Sequence, residues 1–506
     1  MQFSKEKISS IKTLSELKKS GYQSRHIKEE LRENLISALR NDLNPFEGIK
    51  GYDETVIPDL QTAILSRHNI ILLGLRGQAK TKIARLLVNL LDEYIPVVAG
   101  SELNDDPLLP LSRQAKDILS EYGDQTKIAW LHRSERYTEK LATPDVSVAD
   151  LIGDVDPIKA AALKLPYSDE RVIHFGLIPR SHRCLFVINE LPDLQARIQV
   201  ALFNILQESD IQIRGFKVRM PLDIQFVFTA NPEDYTNRGS IVTPLKDRID
   251  SQILTHYPKN IEISGEITQQ EAHISKDQMT KIEVNNLLKD MIEQIAFEAR
   301  NSEYIDPKSG VSARLTISAF ENLISTAERR MILNNETQTY ARVSDLYGVI
   351  PAITGKIELV YEGEQEGPSK VAHILIGKAI KSFFQKHFPT PESFKKNKES
   401  NPYNSLISWF GKGNVVDIFN NVSRNDYEKS LKQVPGLKEI VKKYVKGVDE
   451  NSAFLWMEFL LHGMSEYSLL SKYRIETGIQ FKDMLSTMFT INQDEPEEDD
   501  DEFFRK

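Results

Sequence analysis

Eight consecutive residues, Gly74, Leu75, Arg76, Gly77, Gln78, Ala79, Lys80 and Thr81, hold the residue types that bind phosphate. Glycines let the backbone fold around an anion and turn its N–H groups inward. A lysine at the end of the run reaches terminal phosphate oxygens, and the hydroxyl after it can serve Mg²⁺. The apolar run at residues 69–73 reads as a buried strand, and residues 82–91 read as a helix. Strand, glycine-rich turn, Lys-Thr and helix is the context that makes a phosphate loop. Ala79 stands where the usual pattern has a glycine. As the smallest alternative it is expected to be tolerated provided the position needs no positive φ.

Two further strands end in polar residues. The apolar run at residues 184–188 closes on Asn189 and Glu190, and residues 223–230 close on Asn231. Sheets of this kind take ligands at the carboxyl ends of their strands. Glu190 is suited to orient and activate a water. Asn189 occupies the place of an aspartate that would serve Mg²⁺; its amide oxygen can accept from a metal-bound water but brings no charge. Asn231 can hold that water or a γ-phosphate. Arg248 follows in the segment 244–250, and Arg314 opens a helical stretch.

In this order and spacing the chain resembles the AAA+ ATPases, and among them the MoxR and magnesium-chelatase ATPase-subunit group, over roughly residues 40–385. The resemblance implies a P-loop AAA+ fold: an α/β core with a parallel sheet flanked by helices, then an all-helical lid and a further helical C-terminal region. It implies ATP and Mg²⁺ as cofactors. Gly74, Gly77, Lys80 and Thr81 match the Walker A loop, and Asn189 and Glu190 the Walker B pair. Asn231 matches sensor 1, Arg248 the arginine finger that reaches a neighbour's nucleotide, and Arg314 sensor 2. Residues 44–52, with Ile49, Gly51 and Tyr52, resemble the segment that packs on adenine. The metal is expected at Thr81 and Asn189, and the missing aspartate bears on the rate of hydrolysis more than on the binding of ATP. A homo-oligomer, a hexamer by the resemblance, and a partner carrying a von Willebrand factor A domain are implied, for remodelling a target or inserting a metal. An authentic magnesium-chelatase subunit, a nucleotide-binding scaffold with little turnover and, least, a DNA-acting motor are the alternatives.

Composition sets the frame for these elements. The 506 residues are 40% hydrophobic and 27% charged, as in globular proteins of two to four domains. No apolar N-terminal leader and no run of ~20 apolar residues is present, so a cytoplasmic protein without a membrane span is expected. The lone Cys184 opens an apolar strand and reads as core. Residues 494–506 hold eight acidic and two basic residues, a net −6 of the total −9. The remaining −3 over so long a body gives no footprint for nucleic acid.

The expected order is an N-terminal helical element (1–40), the ATPase core (41–258), a helical lid (259–389), a helical C-terminal region (390–490) and a disordered acidic tail (491–506). Residues 261–281 are polar and read as a connector. Residues 172–183 and 211–219 resemble the helix-2 insert and the pre-sensor-1 hairpin of the same group. His174 and His182 lack metal-ligand spacing, and no zinc site is expected.

Overall fold

The computed structural model describes residues 5–167, 169–208, 210–213, 219–232, 241–394, 401–475 and 477–484. The acidic tail, the tip of the second insert (214–218) and residues 395–400 of the expected linker lie outside these. The chain divides into two compact units, residues 1–257 and 258–506.

The first unit is built on five parallel strands: Ile70–Leu73, Tyr137–Leu141, Cys184–Asn189, Ile224–Ala230 and Ser251–Leu254. Numbered along the chain, they lie in the order 5-1-4-3-2. The first, third and fourth are buried along their whole length. That is why they read as continuous apolar runs: both faces of a parallel sheet are covered. Alternation survives between the faces. Ile70, Leu72, Leu185 and Val187 join one apolar cluster, and Ile71, Leu73, Phe186 and Ile188 another.

The first of those clusters takes in Ile27, Leu31 and Leu35 of the N-terminal helix Ile27–Arg40. A buried bidentate ion pair fixes this helix to the second strand. Arg136, just before that strand, donates to both Glu30 oxygens at 2.6 and 2.7 Å.

Both inserts contain antiparallel pairs. Gly153–Val155 runs against Ile173–Phe175, and Asp210–Gln212 against Arg219–Pro221. The Gly-Leu-Ile-Pro segment after the first pair forms a one-turn helix, Leu177–Arg180. Gly176 there approaches the backbone of Leu151 and Ile152 too closely for any side chain.

The second unit is mostly helical around one apolar cluster, to which the helices Asn286–Arg300, Arg314–Leu333, Pro368–His387 and Glu450–Glu466 all contribute. Two features differ from the expected pattern. The polar stretch 261–281 is not a connector but two helices, Ile261–Glu271 and Lys276–Lys281, capped by Asn260 and Ser275. The C-terminal region holds a three-stranded antiparallel sheet, Val416–Phe419, Gly478–Lys482 and Ser471–Ile475, beside its helices. Among the described residues no helix is long and apolar enough to cross a membrane.

Candidate nucleotide site

The glycine-rich loop leaves the carboxyl end of Ile70–Leu73 and enters the helix Lys80–Leu86. Gly74 has no room for a side chain: a Cβ would strike Thr255 Oγ1 and Gln78 Oε1. Those two atoms are themselves hydrogen bonded at 2.7 Å and pin the loop to the end of the fifth strand. Gly77 takes φ +75. Ala79 takes φ +57, so the condition on which an alanine was expected to be tolerated there is not met. The loop geometry demands a left-handed residue, and alanine adopts it at a cost of about 1–2 kcal/mol.

Two tyrosine hydroxyls brace the backbone of the loop. The Tyr52 hydroxyl lies 2.7 Å from the His256 carbonyl and 3.0 Å from that of Gln78. Its ring meets His256 edge-on, and burial pushes its pKa up to about 12. The Tyr257 hydroxyl donates to the Arg76 carbonyl at 2.9 Å. Tyr52 therefore anchors loop backbone, a role its sequence context did not reveal. Gly51 beside it has φ +77, and Ile49 is half-buried against the same apolar cluster.

Lys80 is buried, and its Nζ donates to the carbonyls of Gly74 and Leu75 and to Asn231 Oδ1 at 3.0 Å. Asn231 Nδ2 in turn lies 3.4 Å from Glu190 Oε2. Loop lysine, strand-end asparagine and strand-end glutamate are thus brought together at the ends of adjacent strands. Glu190 has a left-handed backbone, φ +54, where the chain turns from the strand into Leu191–Asp193. Strain of this kind collects at functional sites.

Asn189 sits in a chain of hydrogen bonds. Glu190 N–H donates to Thr229 Oγ1 at 3.1 Å, and the Thr229 hydroxyl donates to Asn189 Oδ1 at 3.0 Å. Asn189 Nδ2 donates to Glu139 Oε1 at 2.6 Å. A carboxylate can only accept, so Glu139 fixes which way the amide faces. Glu139 also accepts from Arg85 Nε at 3.0 Å and from the Tyr137 hydroxyl at 2.9 Å. Burial, then the Glu139 carboxylate, push the Tyr137 pKa up and keep it a donor. Glu139 and Thr229 escaped the sequence reading. Their signal was faint: one acidic residue in a short alternating strand, one hydroxyl in an apolar run.

Thr81 is half-buried at the start of the loop's helix. Its hydroxyl, the Asn189 amide oxygen and the Glu139 carboxylate are all oxygen donors, the set that suits Mg²⁺. Arg248 is engaged elsewhere: it stacks on Phe203 at 3.7 Å and donates to Gln207 and the Pro244 carbonyl. Arg314 is exposed in the second unit, where its own N–H donates to Ser312 Oγ.

No family profile matches the sequence, and no curated protein sequence is significantly similar to it. Solved structures are similar at low identity. A Cytophaga hutchinsonii protein classed provisionally as an ATPase is 18% identical over 71% of this chain and 97% of its own, with a TM-score of 0.29. The BchI–BchD complex of magnesium chelatase gives 19% over 63% and 98%, at 0.33. A Thermotoga maritima RuvB mutant gives 10% over 89% and 98%, at 0.34. At these identities and scores the likenesses decide nothing about activity, which rests on the residues themselves.

Proposed function

We propose that the first unit binds ATP with Mg²⁺ on the loop of residues 74–81 and hydrolyses it, as the ATPase of an AAA+ motor resembling the MoxR and magnesium-chelatase group. The observation that carries this is the convergence of Lys80, Asn231 and Glu190 at one sheet edge. ATP would replace the loop carbonyls as the partner of the Lys80 ammonium. Glu190 accepts from the attacking water, and Asn231 positions that water against the γ-phosphate. Thr81 and Asn189 are the residues to hold Mg²⁺, which when bound neutralises phosphate oxygens. Arg248 of a neighbouring subunit supplies transition-state charge, which requires a homo-oligomer, by the resemblance a hexamer. Arg314 couples hydrolysis to motion of the second unit. The work done is remodelling of, or metal insertion into, a target, with a von Willebrand factor A domain protein as partner in the cytoplasm.

Asn189 is the one feature favouring a scaffold with little turnover, since it brings no charge of its own. Binding is tested first, by titrating a fluorescent ATP analogue in Mg²⁺. The wild type binds, and Lys80→Ala loses affinity by 100-fold or more, roughly the worth of a buried charge-assisted contact. Equal affinity of the two proteins contradicts the assignment of the loop.

A further inference from the structure

The uncharged Asn189 leaves open where the negative charge on the metal side of the site comes from. The geometry points to Glu139: its carboxylate, on the neighbouring strand, supplies the charge that residue 189 does not. This rests on the nucleotide reading above.

Tyr137–Leu141 and Cys184–Asn189 are adjacent and parallel, with Glu139 opposite Val187 and Leu141 opposite Asn189. Side chains alternate along each strand, so Glu139, Val187 and Asn189 share one face of the sheet. That face is the one covered by the loop's helix, because Val187 packs with Ile83 and Ala84 of Lys80–Leu86. The Glu139 carboxylate therefore lies one hydrogen bond, 2.6 Å, from the Asn189 amide.

The same contact explains why residue 189 is an asparagine. An aspartate there would set two carboxylates against each other at hydrogen-bond distance in a site where Asn189 is only 8% exposed. One charge is tolerated, and it sits on the neighbouring strand. The network then carries its influence inward: Glu139 orients Asn189, Asn189 accepts from Thr229, and Thr229 accepts from the Glu190 N–H. Arg85, whose Nε and a terminal guanidinium nitrogen reach Glu139 Oε2 at 3.0 and 2.9 Å, offsets this charge only in part. Its side chain is 63% exposed, and such a pair is weak and solvent-screened.

The experiment measures the Mg²⁺ concentration giving half-maximal binding of N-methylanthraniloyl-ATP, together with the melting temperature. Four full-length variants are compared with the wild type: Glu139→Gln, Asn189→Asp, the two combined, and Arg85→Ala. Glu139→Gln keeps the shape and one acceptor oxygen, enough for the Asn189 amide, but removes the charge and sets an NH₂ donor where Arg85 and the Tyr137 hydroxyl now donate. It is expected to raise the Mg²⁺ requirement about 10–100-fold, the usual worth of a residue that supports a metal through its ligands. Asn189→Asp alone lowers the melting temperature. Combined with Glu139→Gln it restores both melting temperature and Mg²⁺ requirement, because the single charge has only changed strands. Arg85→Ala leaves the Mg²⁺ requirement unchanged or lowers it.

A wild type that binds nucleotide while Glu139→Gln leaves the Mg²⁺ midpoint in place overturns this inference alone. So does a double variant no better than Asn189→Asp. An Arg85→Ala variant that copies Glu139→Gln also overturns it, since Glu139 would then serve only to hold that arginine. A wild type that binds no nucleotide at any Mg²⁺ concentration overturns the nucleotide reading and this inference with it.

Discussion

Burial settles the protonation of His182. Its Nδ1 accepts the Asp223 N–H at 3.0 Å, and desolvation depresses its pKa to about 4. In the unfolded chain the imidazole titrates at about 6.5. Between these values the unfolded state binds a proton that the fold excludes. The stability His182 contributes is therefore complete above the unfolded pKa and is lost as pH falls toward 4. From pH 7 to pH 5 the loss from this one group is about 2 kcal/mol. Urea unfolding at the two pH values, with His182→Asn as control, measures it: the wild type should lose more stability than the variant, and equal losses would contradict the assignment. The same burial raises the Cys184 thiol to about 11, which leaves it an inert core residue. The grouping of candidate residues was legible at this scale: Lys80 from the glycine-rich pattern and Glu190 and Asn231 from polar strand ends, three side chains that the hydrogen bonds bring together. What could not be read was conformation and company. Nothing in the letter sequence shows that Ala79 must take a positive φ, or that Asn189 faces a carboxylate from a strand about 50 residues earlier.

The strand that carries Glu139 is held at its start by Arg136, and Arg136 is held by Glu30 of the N-terminal helix. The Glu30 oxygen also accepts from the Asp92 N–H at 2.7 Å, and Arg136 Nε donates to the Arg183 carbonyl at 2.9 Å. Both side chains are nearly inaccessible. Replacing one partner leaves the other charge buried and unpaired, which costs about 3–5 kcal/mol. Glu30→Gln should therefore lower the urea midpoint by that equivalent, and a change below about 1 kcal/mol would show that the pair is solvated or replaceable. Elements with an apolar stripe were readable from periodicity, among them the helices Ile27–Arg40 and Asn286–Arg300. The helix Ile261–Glu271 was not, because what it buries is Ser264 and Thr268. Ser264 donates to Glu293, and Thr268 pairs with Thr316 at 2.7 Å. A helix docked through hydroxyls has no hydrophobic period to find. The three-stranded sheet was hidden for a different reason: its strands have four or five residues each, and alternation that short is overshadowed by the helices around them.

For the molecule as a whole, two compact units with separate apolar cores set the part that carries the proposed nucleotide site apart from a mainly helical part. The five-strand order brings the loop strand next to the strand ending before Asn231, and that strand next to the one bearing Asn189 and Glu190. The topology thus assembles the site from segments more than 150 residues apart, as Lys80 and Asn231 show. A motor built this way needs a second subunit if Arg248 is to serve a neighbour's nucleotide. The most direct measurement is steady-state ATP hydrolysis per subunit across protein concentration, for the wild type, Glu190→Gln and Arg248→Ala, with nucleotide binding checked in each. Turnover per subunit should rise with concentration and vanish in Glu190→Gln. It should fall by roughly 10³–10⁵ in Arg248→Ala, the worth of a finger supplied in trans. Nucleotide bound without turnover, or turnover indifferent to concentration and to both substitutions, would contradict the account.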